Sequence, residues 1–339
     1  MGFLDLIKGN TEFEIRGKRI LIVGQAEKEG IDLIKQAFEA IAQKSTILNY
    51  FTDLEIVLET KSINESDLLL SKPDSSLIAE VRSSDVRLGK DRIHFSSDVL
   101  KALVAENAAK QGDIGLRKLT NGLYHELTHL LQYKIGRLKQ MKDANYRIRG
   151  KFLTTSSFAS FISFFNSDYD IKDLRSHLMN FMQAIMAEGL ADYSEEMIRG
   201  TDINEEFFRD HHRSAEISAQ DIKSKWERVL EQHKKKSKSS FDNEVLKSYH
   251  SALLRAFEDK RYAMGLHMVD SILQYDKKMS LEKLIRMGYL KFIKIYENSM
   301  GRMRLQPVVS VNSGRGILDY DRMLKQGADA LKKSRWKWF

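Results

Sequence analysis

His125-Glu126-Leu127-Thr128-His129 puts two imidazoles and a carboxylate inside five residues. On a helix, positions i and i+4 share a face, so both histidines can reach one metal ion. Zinc accepts imidazole nitrogen at about 2.0–2.1 Å. Glu126 sits beside the first histidine and points in another direction, which suits it to take a proton from water held at the metal. Leu116, Leu119, Leu123, Leu127, Leu130 and Leu131 give the surrounding text a helical apolar face. The spacing predicts a helix from about Ile114 to Ile135, with Asp113 and Gly136 as start and stop signals.

A catalytic zinc site uses three protein ligands and keeps one position open. The chain contains no cysteine, which excludes disulfides and thiolate ligands and leaves His, Asp or Glu for the third place. Glu188 is the best candidate. It interrupts the apolar text MNFMQAIMAEGLADYSEEM, where a carboxylate is costly without a partner. Asp192 follows one turn later, placed to accept a hydrogen bond from a ligand histidine and fix its tautomer. Gly189 and Ala191 leave room for close helix packing.

HELTHLL followed by ExxxD resembles the gluzincin metallopeptidases, the thermolysin-like and neprilysin-like group. The resemblance spans about residues 90–200. It implies His125, His129 and Glu188 as zinc ligands, Glu126 as general base and Asp192 as support for a histidine. It also implies a zincin-like core in which strand Arg92 to Ser96 is the edge beside the metal helix, open to an extended peptide or protein substrate. Tyr262-Ala-Met-Gly265-Leu-His267 resembles the YxxG turn that follows the metal helices in several such families. Tyr262 is the candidate oxyanion donor, with His267 as second choice and a core tyrosine as the alternative. Two features depart from the pattern. Ala187 stands where thermolysin-like enzymes carry Asn, and the cysteine-rich setting of neprilysins is missing.

The elements that must hold these residues read as α+β. Residues 12–60 form a small α/β unit, with a strand at Ile20–Val23 and a helix from Ile31 to Ala42. Gly24 follows the strand, but GQAEKEG is not a dinucleotide fingerprint. Strands are expected between Ser76 and Ser96, with a turn at Gly89-Lys90-Asp91. Ser97 then reads as N-cap of a helix over 98–110. Further helices are expected at 175–199, 221–236, 242–275 with a break near Asp259, and 281–298. The domain division expected is an N-terminal unit over 1–75, a catalytic domain over 76–300 and a basic tail over 301–339. His211, His212 and His250 read as surface residues, and His94 and His177 are open. The Phe-rich text from Phe152 to Tyr169 reads either as a lid or pocket wall or as plain packing.

The net charge is +8, and from Arg302 onward nine Lys or Arg face three Asp. That tail, with Trp336 and Trp338, reads as a solvated end or as a contact for an anionic surface or nucleic acid. The start MGFLDLIKGN shows no secretory pattern, and no apolar run reaches the length of a bilayer span, so a cytoplasmic setting is expected. The function read from these features is zinc-dependent peptide-bond hydrolysis. Two readings compete: a narrow-specificity regulatory protease or degenerate zinc-binding relative, and a basic helical nucleic-acid- or membrane-binding protein.

Overall fold

The computed structural model describes residues 6–8, 10–59, 79–82, 85, 88–109, 113–136, 174–235, 240–311 and 314–335. The segment from Phe152 to Tyr169 and both tail tryptophans lie outside them. The chain is mixed α+β, with a small sheet early and a helical C-terminal half. It divides into two compact units, one of 1–157 with 194–201, the other of 158–193 with 202–339.

The first unit is built on a five-stranded sheet. Its strands are β2 (Thr11–Ile15), β3 (Lys18–Val23), β5 (Asp53–Glu59), β6 (Ala79–Glu80) and β7 (Arg92–Ser96), in the order β2-β3-β5-β7-β6. A separate antiparallel pair joins β1 (Leu6–Lys8) to β4 (Gln25–Glu27). Arg16 and Gly17, both at positive φ, close the β2–β3 hairpin in the two-residue form whose twist matches the strands. Parallel pairing of β3 with β5 requires a crossover, which α1 (Lys28–Lys44) supplies. Alternation then sorts the side chains. Ile20, Ile22, Leu54, Ile56, Leu58, Ile93 and Phe95 are buried on one face, in register across the three central strands. Glu55, Glu59, Arg92 and His94 occupy the other.

Two more helices complete this unit, α2 (Ser97–Ala108) and α3 (Ile114–Lys134). α3 packs against α1, α2 and the sheet. Leu119, Leu123 and Leu127 are fully buried, each worth roughly 1.5–3 kcal/mol relative to exposure. α3 also buries Thr120, Asn121, His125, Glu126, Thr128 and Gln132. Buried hydroxyls need partners, and Thr120 and Thr128 donate to the carbonyls of Leu116 (2.7 Å) and Tyr124 (2.9 Å) one turn back.

Several expectations change here. β7 is not the edge strand, because β6 pairs with it antiparallel and takes the edge. Two residues are too few to give a periodic signal. The sheet combines strands from both sides of residue 75, so the boundary expected there runs through one sheet. Ser96, not Ser97, caps α2, its hydroxyl accepting from Val99 N–H.

The second unit is helical. It holds α4 (Leu174–Arg199) as far as Tyr193, α5 (Glu205–Lys235), α6 (Ser240–Tyr275), α7 (Leu281–Ile285), α8 (Tyr289–Met303) and α9 (Tyr320–Arg335), with a parallel pair β8 (Val309–Ser310) and β9 (Leu318–Asp319). α5 begins at Asn204, whose side chain accepts from the N–H groups of Glu206 (2.9 Å) and Phe207 (3.1 Å), well before the expected residue 221. α6 runs unbroken past Asp259, and the helix expected over 281–298 is split before Gly288, which caps α8. The expected tail is largely folded: Trp226 is buried and donates to Gln326 on α9 at 3.1 Å. Among the described residues no helix is long and apolar enough to cross a membrane.

Candidate metal centre

α3 carries the HExxH residues side by side. His125 is 5% exposed and Glu126 7%. The Nε2 atoms of His125 and His129 face each other at 3.1 Å. Two nitrogen ligands of one tetrahedral zinc sit about 3.3 Å apart, given bonds of about 2.0–2.1 Å. Glu126 does not join them. Its Oε2 accepts the backbone N–H of Val81, just beyond β6, at 3.0 Å.

The outer nitrogens set the tautomers, assigned from their partners. Gln132 Oε1 lies 3.1 Å from His129 Nδ1, so Nδ1 carries the proton and Nε2 the lone pair. Glu195 Oε2 lies 3.7 Å from His125 Nδ1, an ion-pair rather than a hydrogen-bond distance, and its charge favours a proton on that side. With a proton on each Nδ1, both Nε2 lone pairs would converge, an arrangement suited to a cation. The donor set therefore fits zinc.

Glu195 belongs to the last two turns of α4, within the first unit. Its second oxygen accepts from Arg199 Nη2 at 2.6 Å. Burial pushes the Glu195 carboxyl up, but His125 and Arg199 outweigh it and hold the group below the usual carboxylate range. Lys44 donates to the carbonyl of Ile198 at 2.8 Å, tying the end of α4 to α1.

Glu188 lies in the second unit, half-buried on α4. Arg261 Nε approaches its carboxylate to 3.4 Å and Arg261 Nη1 approaches Glu258 to 3.6 Å. Gly189 and Gly265 make this possible. A Cβ on Gly189 would meet the backbone of Gly265 at 2.2 Å, and one on Gly265 would meet the Ile185 carbonyl at 2.2 Å. α4 and α6 thus cross backbone to backbone, which sets Arg261 and Tyr262 beside Glu188. Arg261 Nη2 donates to the Tyr262 hydroxyl at 2.7 Å, and its guanidinium lies over the Tyr262 ring at 4.8 Å. Burial first, and the Glu188 charge second, push the Tyr262 phenol well up.

His267, the second choice for oxyanion donor, lies in another cluster. Its Nε2 is 3.2 Å from His212 Nδ1 and 3.2 Å from the Tyr296 hydroxyl. Burial, then His212 and His211, lower its pKa to about 3, so it is neutral at ordinary pH. His211 and His212 are half-buried in or beside this cluster and His250 is buried, where the sequence suggested surface residues. His94 lies between two carboxylates. Its Nε2 is 2.6 Å from Asp85 and its Nδ1 2.9 Å from Glu59, which also takes two bonds of 2.6 Å from Arg82.

Two residues escape the sequence reading, Glu195 and Arg261. The signal for Glu195 is present: it stands seven residues after Glu188, on the same helical face. Arg261 has no comparable signal, because its role depends on which helix α6 crosses. A scan against protein-family models finds no match for this chain, and searches of curated proteins and of solved structures find none either.

Proposed function

We propose that this protein is a zinc-dependent hydrolase acting on peptide bonds, with His125, His129 and Glu188 holding the ion in a zincin-like core. The observation that carries the reading is the facing pair of Nε2 atoms at 3.1 Å, with Gln132 and Glu195 at the opposite nitrogens. Glu188 is the preferred third ligand. It shares a face of α4 with Glu195, two turns earlier, and interrupts an apolar text where a carboxylate is costly without a partner.

A zinc ion held there supplies Lewis acidity and lowers the pKa of a coordinated water towards neutrality. The rest falls to the chain. Glu126 accepts the water's proton on its carboxylate and returns it to the leaving amine. The Val81 N–H fixes one Glu126 oxygen, which leaves the orientation of the other defined. Tyr262 stabilises the oxyanion. Its oxygen accepts from Arg261 Nη2, which fixes the position of the hydroxyl that would donate.

The test is direct. Purified protein should carry about one zinc per chain. Glu126→Gln should retain that zinc and lose hydrolysis of a quenched peptide library by about 10²–10⁴-fold. A metal-free wild type defeats the reading, as does a Glu126→Gln protein of full activity.

A further inference from the structure

A histidine that gives Nε2 to a metal must hold its proton on Nδ1, and the acceptor of that proton decides how firmly the ring is oriented. The resemblance to gluzincins assigns this task to Asp192. We propose that Glu195 is a positioning residue for His125, an inference that rests on the zinc reading above.

Three observations support it. Glu195 Oε2 is 3.7 Å from His125 Nδ1, and both side chains are nearly excluded from solvent, at 5% and 6% exposure. Glu195 is itself held: Arg199 donates to Oε1 at 2.6 Å, so Oε2 is turned toward the imidazole. The backbone beneath is anchored, because Lys44 donates to the Ile198 carbonyl at 2.8 Å and Ser45 meets the Tyr124 hydroxyl at 2.8 Å, one residue before His125. Glu195, Arg199 and His125 are thus fixed within one unit. A carboxylate whose charge is buried against Arg199 and His125 is not a solvated surface group; at 3.7 Å it is an ion-pair contact for His125 Nδ1, close enough to orient the ring electrostatically.

The experiment measures zinc affinity of the full chain by competition with a chromophoric chelator. Glu195→Gln should weaken it by about 10–100-fold, the usual effect of losing such a partner. Asp192→Asn should weaken it less, and Glu195→Asp, which keeps the charge, should recover part of the loss. Cobalt substituted for zinc should show altered d–d absorption in Glu195→Gln. Affinity of Glu195→Gln within twofold of wild type overturns the proposal, as does a larger loss in Asp192→Asn. Should Glu195→Gln fail to fold, ¹⁵N-imidazole spectra of zinc-loaded wild type decide. A protonated Nδ1 and a metallated Nε2 on His125 support the assignment, and the reverse overturns it. A wild type that binds no zinc sinks the hydrolase reading as well, so the two failures are told apart.

Discussion

Helix propensity and helix packing give opposite signs at Gly265, which makes it a sharp test of the fold around Glu188. Gly265 is in the interior of α6, where Gly→Ala ordinarily stabilises by about 0.5–1 kcal/mol. The crossing with α4 reverses this. An added Cβ lies 2.2 Å from the Ile185 carbonyl oxygen and 2.7 Å from the Gly189 nitrogen. Ordinary carbon–oxygen contact begins near 3.2 Å, so the helices must part by about 1 Å. The obstructing atoms are backbone, and no rotamer change relieves them. Forcing a packed interface open costs typically 1–3 kcal/mol, enough to outweigh the propensity gain. For units of this size each kcal/mol moves the midpoint by about 2–4 °C, so Gly265→Ala should melt several degrees below wild type. Gly301 on α8 is the control: it is exposed, and a Cβ there meets nothing within 4 Å. Gly301→Ala should leave the midpoint unchanged or raise it. Both variants are read by circular dichroism on heating and by urea unfolding. A Gly265→Ala protein as stable as Gly301→Ala would refute the close crossing, and with it the account of how Arg261 and Tyr262 come to lie beside Glu188.

Two further outcomes are expected. Tyr262→Phe should keep zinc and lower kcat with little change in KM, because the hydroxyl acts in the transition state; a loss of about 0.5–1.5 kcal/mol in stability with full turnover would mark a core tyrosine instead. Asp270 is fully buried on α6, and burial raises its pKa to about 6 although Gln274 donates to it. The folded state thus binds its proton more tightly than the unfolded chain, whose value is near 3.8. Stability should fall as pH rises from about 4 to about 6, and Asp270→Asn should flatten that slope and raise stability at pH 7; an unchanged profile in Asp270→Asn would contradict the assignment.

Much of the architecture was legible in residue order. Ile20–Val23, the α1 helix and the α3 helix follow from local apolar spacing, which any sequence window contains. The pairing of His125 with His129 is equally local, since i and i+4 meet on every helix. β6 was not legible, because a strand of two residues exists only through the partner it pairs with. Nor was the long reach of α5 or the folded state of α9, where tertiary contacts such as Trp226 to Gln326 order a charged text. At the site, the sequence supplied the residues on each helix, and tertiary structure decided what stands opposite them. Glu195, outside the familiar spacing, stands within ion-pair distance of His125. Arg261 meets Glu188 because two glycines 76 positions apart (265 − 189) allow backbones to touch. Spacing along one helix is fixed by the chain's own geometry, whereas the partner across a crossing is chosen by shape complementarity between distant segments, which residue order does not encode locally.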